Sequence, residues 1–189
     1  MALSEINTTK TNVQLASFGG GCFWCTEVFF LRLEGVHSVV SGYCGGRIQN
    51  PTYDAICTGT TGHAEIIQIS FNPDVISYTT LLEVFFHTHD PTTLNRQGND
   101  IGTQYRSVIF PHTEDQKIIA VDCIQKINQA KVYPDPIVTT IEEFTVFYPA
   151  EKYHQNYYNR NENQGYCKFV IEPKLTKFNK IFSGLIIAK

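Results

Sequence analysis

Cys22 and Cys25 stand three residues apart in the stretch ASFGGGCFWCTEVFF, residues 16–30, behind three glycines and around a Phe and a Trp. Two thiols at this spacing on a helix share one face, one turn apart, as disulfide chemistry within the pair requires. A cysteine on the first turn of a helix also faces the positive end of the macrodipole and unpaired backbone N–H groups. Cys22 holds that position, so its thiolate is expected to be favoured and its pKa lowered. Phe23 and Trp24 follow a glycine turn, where rings are expected to wall a pocket more than to fill the core. Apolar walls suit a small methyl-bearing group.

A strand must deliver the glycines and a helix must begin at Cys22 for this geometry to hold. Residues 13–18 alternate and read as a strand, 19–21 as a turn, and 22 to about 33 as a helix stopped by Gly35. Residues 36–43 form a second strand, 44–62 a long glycine-rich loop and 64–71 a third, alternating strand. Ser77 caps a helix to about 87, and 89–103 is a second polar loop. A strand over 105–110 follows, then Thr113 with Gln116 as a capping box for a helix to about 130. A weaker strand is expected around 139–146 and a short polar helix over 150–159. From Cys167 onward the chain reads as a tail with one apolar stretch. The mixture, without a dinucleotide-type glycine fingerprint, predicts an α+β fold.

Composition sets the bounds. With 189 residues, 42% hydrophobic and 13% aromatic, the chain can bury a core of its own as a single domain over 1–189. Residues 1–12 are expected to be a flexible arm and 160–189 a C-terminal tail. A formal charge of -3, with no long run of Lys or Arg, argues against nucleic acid and anionic membranes as partners. The polar first 18 residues hold no apolar run of signal-peptide length, and no segment nears the roughly 20 apolar residues of a membrane span. A cytoplasmic location is expected. There the six cysteines are reduced at rest, favouring a catalytic or metal role over a disulfide framework.

Other residues read more plainly. Cys123, with Ile119, Ile124 and Ile127, falls on the apolar face of a helix as a buried structural cysteine. His87 and His89 form an H-x-H without the further ligand pair that a metal site wants, so no metal is expected. His63 and His154 are assigned hydrogen-bonding or scaffold roles, and the role of Cys44 is open. The two long loops, GYCGGRIQNPTYDAICTGTTGHAE and HDPTTLNRQGNDIGTQYRS, are dense in Gly, Tyr, Asp, Asn and Glu, which suits a preorganised site.

The motifs GCFWCTE, GYCGG, NPTYDAICTGTTGHAE, FFHTHDPT, RQGNDIGTQYRS and EKYHQNYY occur in order from about residue 18 to 158. Together they resemble the peptide methionine sulfoxide reductases of the A type. The resemblance implies that Cys22 is the nucleophile and that Phe23 and Trp24 hold the methyl group of the sulfoxide. It implies Glu65 as the acid and Tyr53 as a donor to the sulfoxide oxygen, with Tyr105 and Asp100 completing the site. It also implies a two-layer α/β sandwich, a ferredoxin-like plait, with a mixed, largely antiparallel sheet. Cys57 sits where the family often has Cys and is assigned to packing.

The implied chemistry explains the residue types. A thiolate attacks the sulfoxide sulfur, and the leaving oxygen needs protons from an acid still protonated near neutral pH. Only a desolvated carboxyl meets that condition. Methionine leaves, Cys22 becomes a sulfenic acid, and a second thiol condenses with it to a disulfide. Cys25 replaces the Gly that is commoner after GCFW, while Cys167 matches a C-terminal recycling cysteine. Cys167 is the expected resolver, with Cys25 as competitor or relay. The resemblance implies thioredoxin or another dithiol as reductant, no bound cofactor, free and protein-bound methionine S-sulfoxide as substrates, and a monomer. A thioredoxin-like disulfide oxidoreductase and a zinc-stabilised module are the alternatives. The Phe-Trp pair inside C-x-x-C disfavours the first, and the isolated Cys44, Cys57, Cys123 and Cys167 disfavour the second.

Overall fold

The computed structural model describes residues 12–187; residues 1–11 of the expected arm lie outside them. A six-stranded sheet is built from β1 (Gln14–Gly20), β2 (Val36–Cys44), β3 (Ala64–Phe71), β6 (Ser107–Phe110) and the two-residue strands β7 (Thr140–Ile141) and β8 (Tyr148–Pro149), in the order β7-β6-β1-β3-β2-β8. Every pairing in it is antiparallel except β6 with β7. The sheet is therefore mixed and mostly antiparallel. A separate hairpin joins β4 (Arg96–Gln97) to β5 (Asp100–Ile101). The helices are α1 (Phe23–Phe30), α2 (Tyr53–Cys57), α3 (Tyr78–Thr88), α4 (Glu114–Gln129), α5 (Tyr157–Arg160) and α6 (Glu172–Ile181).

Alternation decides which face each strand residue takes. On β3, Ile67, Ile69 and Phe71 join the main core beneath α1 and α3, while Ala64 and Ile66 turn to the other face. There a smaller cluster with Cys44, Val108 and Phe110 is covered by Phe144 and Phe147. The strand expected over 139–146 thus survives as two residues of ladder, and the chain beyond it serves as a lid for this second face. Glu65 shares the helix-side face with Ile67.

The caps follow the sequence. Ser77 Oγ accepts from Thr80 N at 3.0 Å, and Thr113 Oγ1 accepts from Gln116 N at 3.2 Å. The box at Thr113 is not reciprocal, because Gln116 accepts from His112 N and donates to the Leu15 carbonyl, stapling α4 to β1. Four expectations need correction. The loop over 89–103 holds the β4–β5 hairpin, and the helix expected over 150–159 is only α5, preceded by turns. The loop over 44–62 contains α2, started by Thr52, whose hydroxyl accepts from Ala55 N. The expected tail is helical: a π-helical turn, Cys167–Ile171, leads into α6, and Ile171, Leu175, Phe178 and Phe182 are all buried.

Candidate active site

Two glycines let β1 hand the chain to α1. A Cβ on Gly19 would meet the Glu65 carbonyl oxygen at 2.9 Å, and Gly21 takes φ +91 with Gln97 only 2.6 Å from where a Cβ would stand. Side chains are excluded at both places. The chain can then approach the start of β3 and place Cys22 as the N-cap of α1. Because β3 runs antiparallel to β1, Glu65 at its beginning lies at the same end of the sheet as Cys22.

Glu65 is 1% exposed, and its Oε2 accepts from the Phe23 N–H at 3.1 Å. Burial raises its pKa to about 8, against the pull of that N–H, with Asp100 and Cys25 adding to the rise. The carboxyl is thus held neutral at neutral pH. Around it, burial first and the charge of Glu65 second push the Tyr53 and Tyr105 phenols upward, so both remain donors. Tyr53 is fixed at its backbone, which donates to Glu151 Oε1 at 2.8 Å; Glu151 Oε2 accepts from the buried Tyr43 hydroxyl at 3.0 Å.

The pKa of Cys22 departs from expectation. Burial pushes the thiol well above its ordinary value, Cys25 and Glu65 push it further, and only the Trp24 N–H pulls it down. The helix-start effect is present, and desolvation outweighs it. Cys25, 6% exposed, is instead lowered to about 7, first by the neighbouring Cys22 thiol, with help from Lys174 and Tyr166 against its burial. All six cysteines are free, and Cys167 is wholly buried, with Cys25 among the charges that raise it.

Phe23 is fully buried, with its ring against Tyr43 at 5.8 Å and His154 at 5.1 Å. Trp24 is half-buried. Its indole N–H donates to His154 Nδ1 at 3.0 Å, its face stacks on Tyr157 at 3.7 Å, and Tyr166 meets it edge-on at 5.7 Å. That bond fixes the His154 tautomer with the proton on Nε2. Burial holds His154 below the ordinary range, so its 3.9 Å approach to Glu151 is a neutral contact. Asp100, on β5, accepts from the Tyr166 hydroxyl at 3.2 Å, and the same hydroxyl lies 3.5 Å from Cys25 Sγ.

Sequence reasoning passed over Tyr166, Tyr157, Glu151 and Tyr43. The aromatic density of EKYHQNYY and the Tyr beside Cys167 were the available signals. Glu27 was also missed: 2% exposed on α1, it accepts from Asn156 N at 2.8 Å and Tyr157 N at 3.2 Å, anchoring the segment that stacks on Trp24. Cys57, assigned to packing, is exposed at the end of α2. Cys123, expected to be buried, is only half-buried on α4, packed with Ile119, Ile124 and Ile127 at the edge of the core. His63 accepts from Gly46 N and donates to the Ile48 carbonyl. His89, lowered to about 4 by burial, donates to the Phe85 carbonyl and accepts from Ser107. Among the described residues no group of His, Cys, Asp and Glu could hold a metal ion.

An acid kept protonated beside a thiol is what a reduction that expels oxygen requires, and a second thiol one turn away can close the redox step. The class so defined is a thiol-dependent oxidoreductase. The peptide methionine sulfoxide reductase family matches residues 14–184. A peptide methionine sulfoxide reductase MsrA of Nitratiruptor sp. is 60% identical over 167 residues, 88% of this chain and 95% of that one. Reduced Mxr1 from Saccharomyces cerevisiae superposes with a TM-score of 0.76 at 34% identity, covering 84% of this chain and 91% of that one. Mxr1 solved in complex with Trx2 gives a TM-score of 0.54 at 26% identity, covering 82% and 91%. The chain belongs to the peptide methionine sulfoxide reductase family.

Proposed function

We propose that the chain reduces methionine S-sulfoxide, free or within proteins, with Cys22 as nucleophile and Glu65 as acid. The observation that carries this reading is the buried Glu65 carboxyl, held on the Phe23 N–H and protonated up to about pH 8. Cys22 Sγ attacks the sulfoxide sulfur while Glu65 protonates the departing oxygen and recovers the proton lost by the thiol. The hydroxyl then passes from the methionine sulfur to Cys22 Sγ as the bond between the two sulfurs breaks, so methionine leaves and Cys22 is left as a sulfenic acid. Tyr53 and Tyr105 donate to the developing charge without carrying charge themselves. Trp24, held between His154 and Tyr157, supplies the accessible apolar wall for the methyl group, and Phe23 backs it from the core. Asp100 completes the site.

The structure's arrangement favours Cys25 as the first thiol to meet the sulfenic acid, which revises the preference for Cys167. Cys25 follows Cys22 by one turn of α1, its N–H donating to the Cys22 carbonyl at 3.0 Å, whereas Cys167 is buried at the start of a packed helix. Cys167 then serves as the second thiol in a relay toward a dithiol. The complex of the yeast neighbour with Trx2 supports thioredoxin as that dithiol. No prosthetic group enters this scheme. A monomer in the cytoplasm remains our reading; in the described residues no helix is long and apolar enough to cross a membrane. For the fold, the order β6-β1-β3-β2 with α1 and α3 as crossovers supports the ferredoxin-like plait.

The test is an epimer-resolved assay with a dithiol reductant. Consumption of the S epimer with the R epimer left intact is expected, and turnover of R, or of protein disulfides alone, would overturn the assignment.

A further inference from the structure

We infer that Tyr166 relays the proton of Cys25 to Asp100 as Cys25 condenses with the Cys22 sulfenic acid. The inference rests on the reductase reading and extends it to a residue outside the six motifs. Cys25 is 6% exposed, so bulk water is not at hand to take its proton. One phenol is: Tyr166 Oη lies 3.5 Å from Cys25 Sγ and 3.2 Å from Asp100 Oδ2. With the Tyr166 hydrogen donated to the Asp100 carboxylate, the phenol oxygen presents its lone pairs to the Cys25 S–H. The result is a continuous S–H···O–H···O path from a buried sulfur to a half-buried carboxylate on the β4–β5 hairpin. The Tyr166 ring is fixed edge-on to Trp24 at 5.7 Å and 77°. At its other side the chain enters the π-helical turn at Cys167. Three segments far apart in sequence, α1, the hairpin and the C-terminal helix, meet at this hydroxyl.

The step balances without an outside oxidant. Cys25 Sγ attacks Cys22 Sγ, the S–S bond forms and the S–O bond of the sulfenic acid breaks. The oxygen, with its own hydrogen and one from Glu65, leaves as water. The Cys25 proton passes to the Tyr166 oxygen while the Tyr166 proton passes to Asp100. Solvent returns a proton from Asp100 to Glu65. Tyr166 acts on the reacting Cys25 sulfur in this step and not on the sulfoxide.

The experiment compares full-length wild type, Tyr166→Phe and Asp100→Asn in single turnovers with a methionine S-sulfoxide peptide and no reductant. Quenched samples are scored for methionine released and, by peptide mapping, for Cys22–Cys25 linkage. Tyr166→Phe keeps the ring and removes the relay. Its methionine burst should match wild type, while Cys22–Cys25 formation slows about tenfold or more at pH 6 and converges on wild type at alkaline pH, where the thiol has already lost its proton. Asp100→Asn should show the same pH-dependent lag in the linkage step, and the double variant no further loss. A linkage rate and pH profile unchanged in Tyr166→Phe, an equal loss at every pH, or a Cys22–Cys167 linkage alone would each overturn the relay. A wild type that releases no methionine overturns the reductase reading itself.

Discussion

Replacing Glu65 with glutamine should slow the enzyme and stabilise the fold, both through the same property of the carboxyl. Folding keeps this group protonated up to about pH 8, whereas its ordinary value is 4.5. Between those values the unfolded chain has released the proton and the folded one has not. The unfolded state therefore binds fewer protons, and stability falls as pH rises through the window. At about 1.4 kcal/mol per pH unit, this contribution removes on the order of 5 kcal/mol across the window, roughly 3 of it by pH 7. A glutamine side chain cannot ionise, so that slope vanishes in the variant. The amide needs a new partner for its extra hydrogens, an offset of about 1 to 3 kcal/mol that does not depend on pH. Cys25, lowered to about 7, contributes the opposite slope near neutrality, but it is common to both proteins and leaves the difference.

The assay is urea unfolding of wild type and Glu65→Gln under a reducing agent at steps from pH 5 to 8.5. The stability difference should move in favour of the variant by several kcal/mol toward the alkaline end. In single turnovers the same variant should lose about 10²- to 10⁴-fold in methionine release, the range of a missing general acid, with binding little changed. A difference flat to within about 1 kcal/mol across the range would refute the buried neutral carboxyl. A normal methionine burst would remove Glu65 from the acid role.

Cys22→Ser should release no methionine in a single turnover although it folds normally; substantial turnover would sink the nucleophile assignment. Trp24→Ala should weaken methyl sulfoxide binding by about 1 to 3 kcal/mol through loss of the apolar wall, read as a raised Kd in equilibrium titration, and unaltered affinity would make Trp24 a core residue only. Glu27→Ala leaves the N–H groups of Asn156 and Tyr157 without their acceptor and should destabilise by about 2 to 4 kcal/mol, measured as a lower urea midpoint; an unchanged midpoint would show that the segment is held by its stacking alone.

The parts of the site that were legible are those made by short-range pattern. A strand, three glycines and a helix can be read from 13–30, and alternation over 64–71 puts Glu65 on the same face as Ile67. The capping residues Ser77 and Thr113 declared two helices because their hydroxyls act three residues away. What failed needed distance. The sharing of one hydroxyl by Cys25 and Asp100 depends on Tyr166 arriving from 141 residues beyond Cys25. The tail was a different kind of miss, since Ile171, Leu175, Phe178 and Phe182 recur at helical spacing. Pro173 interrupts the reading there, yet it is accommodated just past the π-helical turn, at the second residue of α6.

Cys22 shows why a correct local rule can give the wrong direction. The helix start does favour its thiolate through the Trp24 N–H, but the burial that keeps Glu65 protonated also disfavours a charge on Cys22. Burial penalises every charge alike, Cys25 and Glu65 disfavour a charge on Cys22, and Asp100 and Cys25 disfavour one on Glu65. The site accommodates little negative charge at once, and at rest the thiol of Cys25 is the one drawn down. Attack by Cys22 becomes possible when its proton has somewhere to go at the moment the bond forms. In the proposed mechanism a sulfoxide oxygen placed against Glu65 supplies that destination: the carboxyl gives its proton to the oxygen and takes the one from the thiol. No step then requires Cys22 to stand as a free buried thiolate, so the reduction is gated by substrate arrival.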